Sequence, residues 1–277
     1  MENTRLKLPS YTFTWKGALA LFFGGFVPLL GLSVLNVLTM MVFGKNFQYE
    51  AIYLILTNAV MWLGAIAAFD YFICRQTTGK KLNFNFSTKN VSTYLLIFPL
   101  MLGMMFIAEF CTELIPTTGP VFGGLYEFFE EMMSMLTSDT LTMVILAVVM
   151  APVFEEVVFR GIIQKGLING GLSPMKAIWI SAILFGLIHG NPWQLVGAIL
   201  LGYVLGLVYH KTKSLLMPIV LHAFNNGLSV LLISYTGTES FTTFFGVPSY
   251  YVLALGVVLF GVFYYLFTEK YEIHHAE

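Results

Sequence analysis

Eight apolar stretches, each near the length that crosses a bilayer, constrain this chain more tightly than any motif. They run at about 16–43, 50–74, 91–112, 140–168, 174–190, 193–210, 214–235 and 249–268. A helix of about 20 apolar residues spans a hydrocarbon core of roughly 30 Å. Backbone facing lipid must satisfy its own hydrogen bonds, and a helix does so within one segment. The predicted fold is therefore all-α: a polytopic membrane helical bundle of about eight transmembrane helices, read as a single membrane domain over 1–277. The 174–190 stretch is the shortest, and is expected to tilt or to be buried by its neighbours. Composition agrees, with 57% hydrophobic and only 10% charged residues, against about 25% charged in a soluble domain. The first stretch is longer than the core of a signal peptide and reads as a retained span.

Charge sets the expected orientation. With the N-terminus inside, the inner connections take Arg5, Lys7, Lys16, Arg75, Lys80, Lys81, Lys89, Lys165, Lys176, Lys211, Lys213 and Lys270, with Arg160 counted on the same side as a partial exception. Only Lys45 stays outside, so both termini are expected in the cytoplasm. The net charge of -1 and the lack of a basic patch exclude nucleic acid as an expected partner. Cys74 and Cys111 provide neither a disulfide framework nor metal spacing. The His274-His275 pair sits on a short polar tail, where weak metal binding is incidental.

One connection differs from the rest. In 122–136, Leu125, Phe128, Phe129, Met132, Met133 and Leu136 share a helical face opposite Glu127, Glu130, Glu131 and Ser134. This reads as an amphipathic helix at the outer interface. It serves either as a packing connector or as a lid over a site.

The chemistry lies in three stretches within 140–235. The first is Glu155-Glu156-Val-Val-Phe-Arg160, the second Phe185-Gly-Leu-Ile-His189, the third His222-Ala-Phe-Asn-Asn226. Ionisable groups at mid-membrane cost about 2.5–3.5 kcal/mol each on insertion scales, so they generally have a partner or a task. The helix bearing Glu155 continues past Arg160 until Gly170-Gly171 stops it. Glu155 then lies about 21 Å from the inner end, at 1.5 Å per residue. His189 lies about 22 Å and His222 about 12 Å along their own helices, depths that overlap once tilt is allowed. Glu156 and Arg160 are i,i+4 and can pair on one face. Glu155 points about 100° away, so one carboxylate is neutralised and the other is free for chemistry. His222 and Asn226 project together by the same spacing. A lone member of this set is more often structural glue between helices; six on three helices are not.

These three motifs, with Pro218 ahead of the last, resemble the CAAX-protease and bacteriocin-processing family of intramembrane proteases, also called the Abi family. The resemblance covers about 140–235. It implies an eight-helix membrane enzyme that hydrolyses a peptide bond in a membrane-associated or lipophilic peptide or protein, with that substrate and the lipid bilayer as its partners. It also implies that Glu155 is the general base, holding a water with His189, and that His222 and Asn226 donate to the oxyanion. Glu156, Arg160 and Phe185 support them. No cofactor is favoured; the alternative is zinc on Glu155, His189 and His222 with water as a fourth ligand. The chain carries no His-Glu-x-x-His helix that would hold two ligands on one face. The lack of targeting signals points to a multi-pass protein of a prokaryotic plasma membrane. Two other classes stay open. One is a non-catalytic immunity or scaffold protein of the membrane. The other is a proton-coupled transporter, which the lack of an inverted repeat disfavours.

Overall fold

The computed structural model describes residues 10–48, 50–137 and 139–270, and every regular element in them is helical. Arg5, Lys7 and the His274-His275 pair lie outside the described residues. The ten helices are α1 (Trp15–Phe43), α2 (Ala51–Thr78), α3 (Val91–Glu113), α4 (Gly119–Thr137), α5 (Thr140–Asn169), α6 (Pro174–Leu187), α7 (Pro192–Thr212), α8 (Leu216–Thr236), α9 (Phe241–Phe245) and α10 (Ser249–Glu269). Among the described residues, seven are long and apolar enough to cross a membrane. The eighth apolar helix, α6, has 14 residues and so extends only about 21 Å, less than a hydrocarbon core. All eight apolar stretches are helices; only α6 is too short to span alone.

The chain divides into two compact units. The first comprises the described residues through Phe84 and Gly161–Ser173. In it α1 packs on α2. Tyr11 is buried, its hydroxyl donating to the Gly161 carbonyl, while Asn169 Nδ2 donates to the Tyr11 carbonyl at 2.9 Å. Asp70 accepts from Arg75 and from the Leu82 N–H at 2.7 Å, tying the loop after α2 back onto that helix.

The second unit comprises the described residues of Asn85–Arg160 and those from Pro174 onward. Here α3 packs against both α7 and α10, α6 lies along α7, and α8 lies along α5. The centre is apolar: Ile97, Leu100, Met101, Met104, Val204, Val208, Met217 and Leu221 form one cluster. Membrane helices gain little from hydrophobic contrast with lipid, so they associate through close packing at small residues. Gly103 of α3 and Gly256 of α10 do this. A Cβ at Gly103 would stand 2.5 Å from the Phe260 backbone nitrogen, and one at Gly256 would stand 2.9 Å from the Gly103 carbonyl.

Helix α4 packs one half-buried stripe against α7 and leaves another open. Phe122, Tyr126 and Phe129 surround the Trp193 ring at centroid distances of 6.4, 4.9 and 5.7 Å. The neighbouring stripe Val121, Leu125, Phe128, Met132 and Met135 is exposed. The spacings of 3, 4 and 7 residues behind both stripes are those of a helix surface.

Candidate active site

The local course of α5 explains where its charged groups sit. The helix is not uniform: Val144–Met150 and Val157–Gln164 are π-helical, and Ala151–Glu156 between them is α-helical. Such π segments are often found at functional sites. The first π segment gives way to α register at Ala151, next to Pro152. The Ala151 N–H reaches back to the Leu146 carbonyl, the π spacing. The next donor in that register would be residue 152, but a proline has no N–H. The Ala147 carbonyl is thus left without a donor from its own helix. Asn226 Nδ2 of α8 supplies one at 2.7 Å. Because Ala147 offers only an acceptor there, the Asn226 amide can face it only with its nitrogen. Its oxygen in turn accepts from Asn225 Nδ2 at 2.9 Å.

Glu156 and Arg160 lie on one face of α5 and both side chains are 0% exposed. Arg160 Nε is 2.9 Å from Glu156 Oε2, an ion pair by distance whose atoms are not aligned as a directed hydrogen bond. Arg160 Nη2 donates to the Gly202 carbonyl of α7 at 3.3 Å, and the guanidinium lies 4.8 Å from the Phe185 ring centroid. A Cβ at Gly202 would stand 3.1 Å from that ring, so glycine lets Phe185 and Arg160 reach the α7 backbone together.

The i,i+4 spacing assigns Glu156 a single partner, and the structure adds a second. His222 Nδ1 lies 2.9 Å from Glu156 Oε1. The other ring nitrogen, Nε2, lies 3.8 Å from Glu155 Oε2. His222 therefore stands between both carboxylates, and Glu155 is less isolated than its position on α5 implies. The Glu155 side chain keeps 13% of its exposure. Facing a carboxylate, His222 Nδ1 donates, which directs Nε2 toward Glu155.

Phe185 joins the two histidines. Its ring meets His189 edge-on at 5.2 Å and His222 edge-on at 5.6 Å. Phe159 closes a third side at 5.2 Å, and the buried Ser181 hydroxyl donates to the Phe159 carbonyl at 2.7 Å. His189 lies just past the end of α6, with Nδ1 2.9 Å from the Phe185 carbonyl. A carbonyl only accepts, so Nδ1 carries the proton and Nε2 of the neutral ring is an acceptor.

All seven residues singled out in the sequence lie in the second unit. Glu155, Glu156, Arg160, Phe185 and His222 form one contacting cluster, His189 joins it through Phe185, and Asn226 adjoins it from α8. Sequence reasoning missed Ala147, Gly202 and Asn191. Asn191 caps α7 by accepting from the Gln194 N–H at 2.8 Å, and it donates to the His189 carbonyl at 3.1 Å. The Asn-Pro pair at 191–192 is a readable helix start; its link to His189 is a tertiary fact. No group of three or more His, Cys, Asp or Glu side chains among the described residues is arranged to hold a metal ion.

A multi-pass helical membrane protein with a buried acid–imidazole cluster is the class that fold and site define. Residues 137–228, about a third of the chain, match the family model described as type II CAAX prenyl endopeptidase Rce1-like. All three motifs singled out in the sequence fall inside this matched segment, so the match and the motif resemblance point to the same family. No curated protein and no solved structure matches the chain.

Proposed function

We propose that the protein is an intramembrane endopeptidase of the glutamate type that cleaves a membrane-associated or lipophilic peptide or protein, and that prenylated CAAX tails are the first substrate class to test. The observation that carries this reading is the position of His222 between Glu156 and Glu155, at 2.9 and 3.8 Å, within the matched segment.

In the proposed reaction a water is held between Glu155 and the Nε2 acceptor of His189. Glu155 takes a proton as the water oxygen bonds to the scissile carbonyl carbon. The carbonyl oxygen becomes an oxyanion and accepts from His222 Nε2–H and from the second N–H of Asn226. When the tetrahedral intermediate collapses, the C–N bond breaks and Glu155 returns its proton to the leaving amine. Such donors are worth about 2.7–4 kcal/mol each where water is scarce.

In this reading His222 donates from both nitrogens and is cationic. Glu155, Glu156, Arg160 and His222 then sum to zero charge. A charge without a counter-charge in such a setting would cost several kcal/mol. Phe185 sets the angle between the two imidazoles, and Glu156 with Arg160 holds His222.

Glu155→Gln is expected to lower cleavage of an internally quenched prenylated CAAX peptide by at least about a thousandfold in reconstituted protein, with thermal stability preserved. Activity within twofold of the unsubstituted chain would overturn the assignment. Strong chelation is expected to leave the rate unchanged. One zinc per chain together with loss of activity on chelation would replace the glutamate mechanism by a metal-dependent one. Comparative peptidomics of cells carrying the native chain or Glu155→Gln would identify the natural substrate as the peptide whose cleavage tracks this residue.

A further inference from the structure

A proline inside a membrane helix usually shows up as a kink. Here Pro152 has a more specific consequence. Its position places the missing N–H opposite the Ala147 carbonyl in the π register that the Ala151–Leu146 hydrogen bond establishes. Any other residue at 152 would offer that carbonyl a donor from its own helix. With proline there, the carbonyl takes Asn226 Nδ2 at 2.7 Å instead. Three residues further along the same helix stands Glu155, so one irregularity sets both the carboxylate-bearing turn and the amide across from it.

The Asn226 side chain is held at both ends. Its nitrogen is committed to Ala147 through one hydrogen, and its oxygen accepts from Asn225 Nδ2 at 2.9 Å. An amide fixed this way has one N–H left over, in a direction set by the other two contacts. Without the Ala147 anchor the side chain would be free to turn about its χ angles, and that N–H would lose its aim. Oxyanion donors act through prior alignment, so lost aim costs rate more than binding.

We infer that Pro152 is a positioning residue for Asn226: by withholding its own N–H it keeps the Ala147 carbonyl for the Asn226 amide, and Asn225 locks the opposite end. This rests on the reading of Asn226 as an oxyanion donor. Neither Pro152 nor Asn225 touches the reacting atoms. Both act through Asn226.

The test is a double-substitution cycle on the reconstituted full chain with a quenched prenylated CAAX peptide. Pro152→Ala restores the N–H. It is expected to lower kcat about tenfold to a hundredfold with KM within twofold. Thermal stability should hold or rise, because alanine favours a helix interior where proline does not. The Pro152→Ala/Asn226→Ala pair is expected to match Asn226→Ala alone, since residue 152 has nothing further to misplace. A purely structural role for Pro152 would instead lower stability and multiply the two losses, and that result overturns the inference. So does full activity of Pro152→Ala beside an inactive Asn226→Ala, which leaves the oxyanion reading intact. Full activity of Asn226→Ala removes the oxyanion reading itself, and this inference with it. If Pro152→Ala does not insert, Asn225→Ala reads the network from its other end: kcat should fall severalfold with unchanged stability, and an undiminished kcat overturns the inference.

Discussion

At the scale of single residues, the site separates groups by what each can still donate or accept. Glu156 has both oxygens engaged, by Arg160 and by His222. Glu155 has one distant partner and some exposure. That asymmetry was partly legible in the chain, because two adjacent carboxylates on a helix point about 100° apart and only one is four residues from Arg160. The arrival of His222 was not legible, since nothing in i,i+4 spacing reports on a different helix. Arg160 is the more sensitive member of the buried pair. Arg160→Ala would leave the Glu156 carboxylate without its cation and should destabilise the protein by about 3–5 kcal/mol. Thermal unfolding in detergent checks this. Combining Arg160→Ala with Glu156→Gln should recover part of the loss, because the second change removes the stranded charge. A loss no larger than that of an exposed surface substitution would contradict the pairing.

At the scale of elements, α5 departs most from what its sequence announces. Its length and its glycine stop were readable: Gly170 ends it and Gly171 adopts φ +97°. Its two π-helical stretches were not, because π register depends on which carbonyls find partners elsewhere, as Ala147 does on α8. The start of α5 is built from local chemistry. Asp139 caps it, accepting from the Thr142 N–H at 3.1 Å and from the Thr142 hydroxyl. The Thr142 side-chain hydrogen bond, with the Thr142 and Leu141 backbone N–H groups, holds the Asp139 carboxyl below its ordinary value of 3.8. A depressed acid adds stability above its unfolded value, and that stability is lost as pH falls through the lower folded value. The acid limb of a stability–pH curve below pH 3.8 should therefore flatten in Asp139→Asn. An unchanged acid limb would show that the cap contributes nothing measurable. Helix α4 gives the opposite lesson. Its amphipathic pattern was plain from sequence, yet only the structure shows that Phe122, Tyr126 and Phe129 close on Trp193. Trp193 lies two residues after Asn191, which donates to the His189 carbonyl.

At the scale of the whole molecule, the distribution of Lys and Arg carries the proposed orientation, with both termini in the cytoplasm. Cysteine placed at Lys45 should react with a membrane-impermeant maleimide in intact cells, and cysteine placed at Lys81 or Lys213 should not. The reverse pattern would invert the topology and, with it, the side from which a substrate approaches. The amino-acid sequence by itself determined the apolar helices, their approximate ends, the three motifs and the pairing of Glu156, rather than Glu155, with Arg160. Each of these follows from short-range rules: hydropathy over about twenty residues, helix punctuation and i,i+4 geometry. Only the tertiary structure decided that His222 bridges both carboxylates, that Phe185 sits between the two histidines, and that Asn226 completes a carbonyl left open by Pro152. These pairings join residues 66 and 79 positions apart, and their distances depend on how separate helices cross. The Ala151–Gly161 stretch declares in sequence that charge must be buried. Which partners make that burial tolerable is settled by the helices that pack around it.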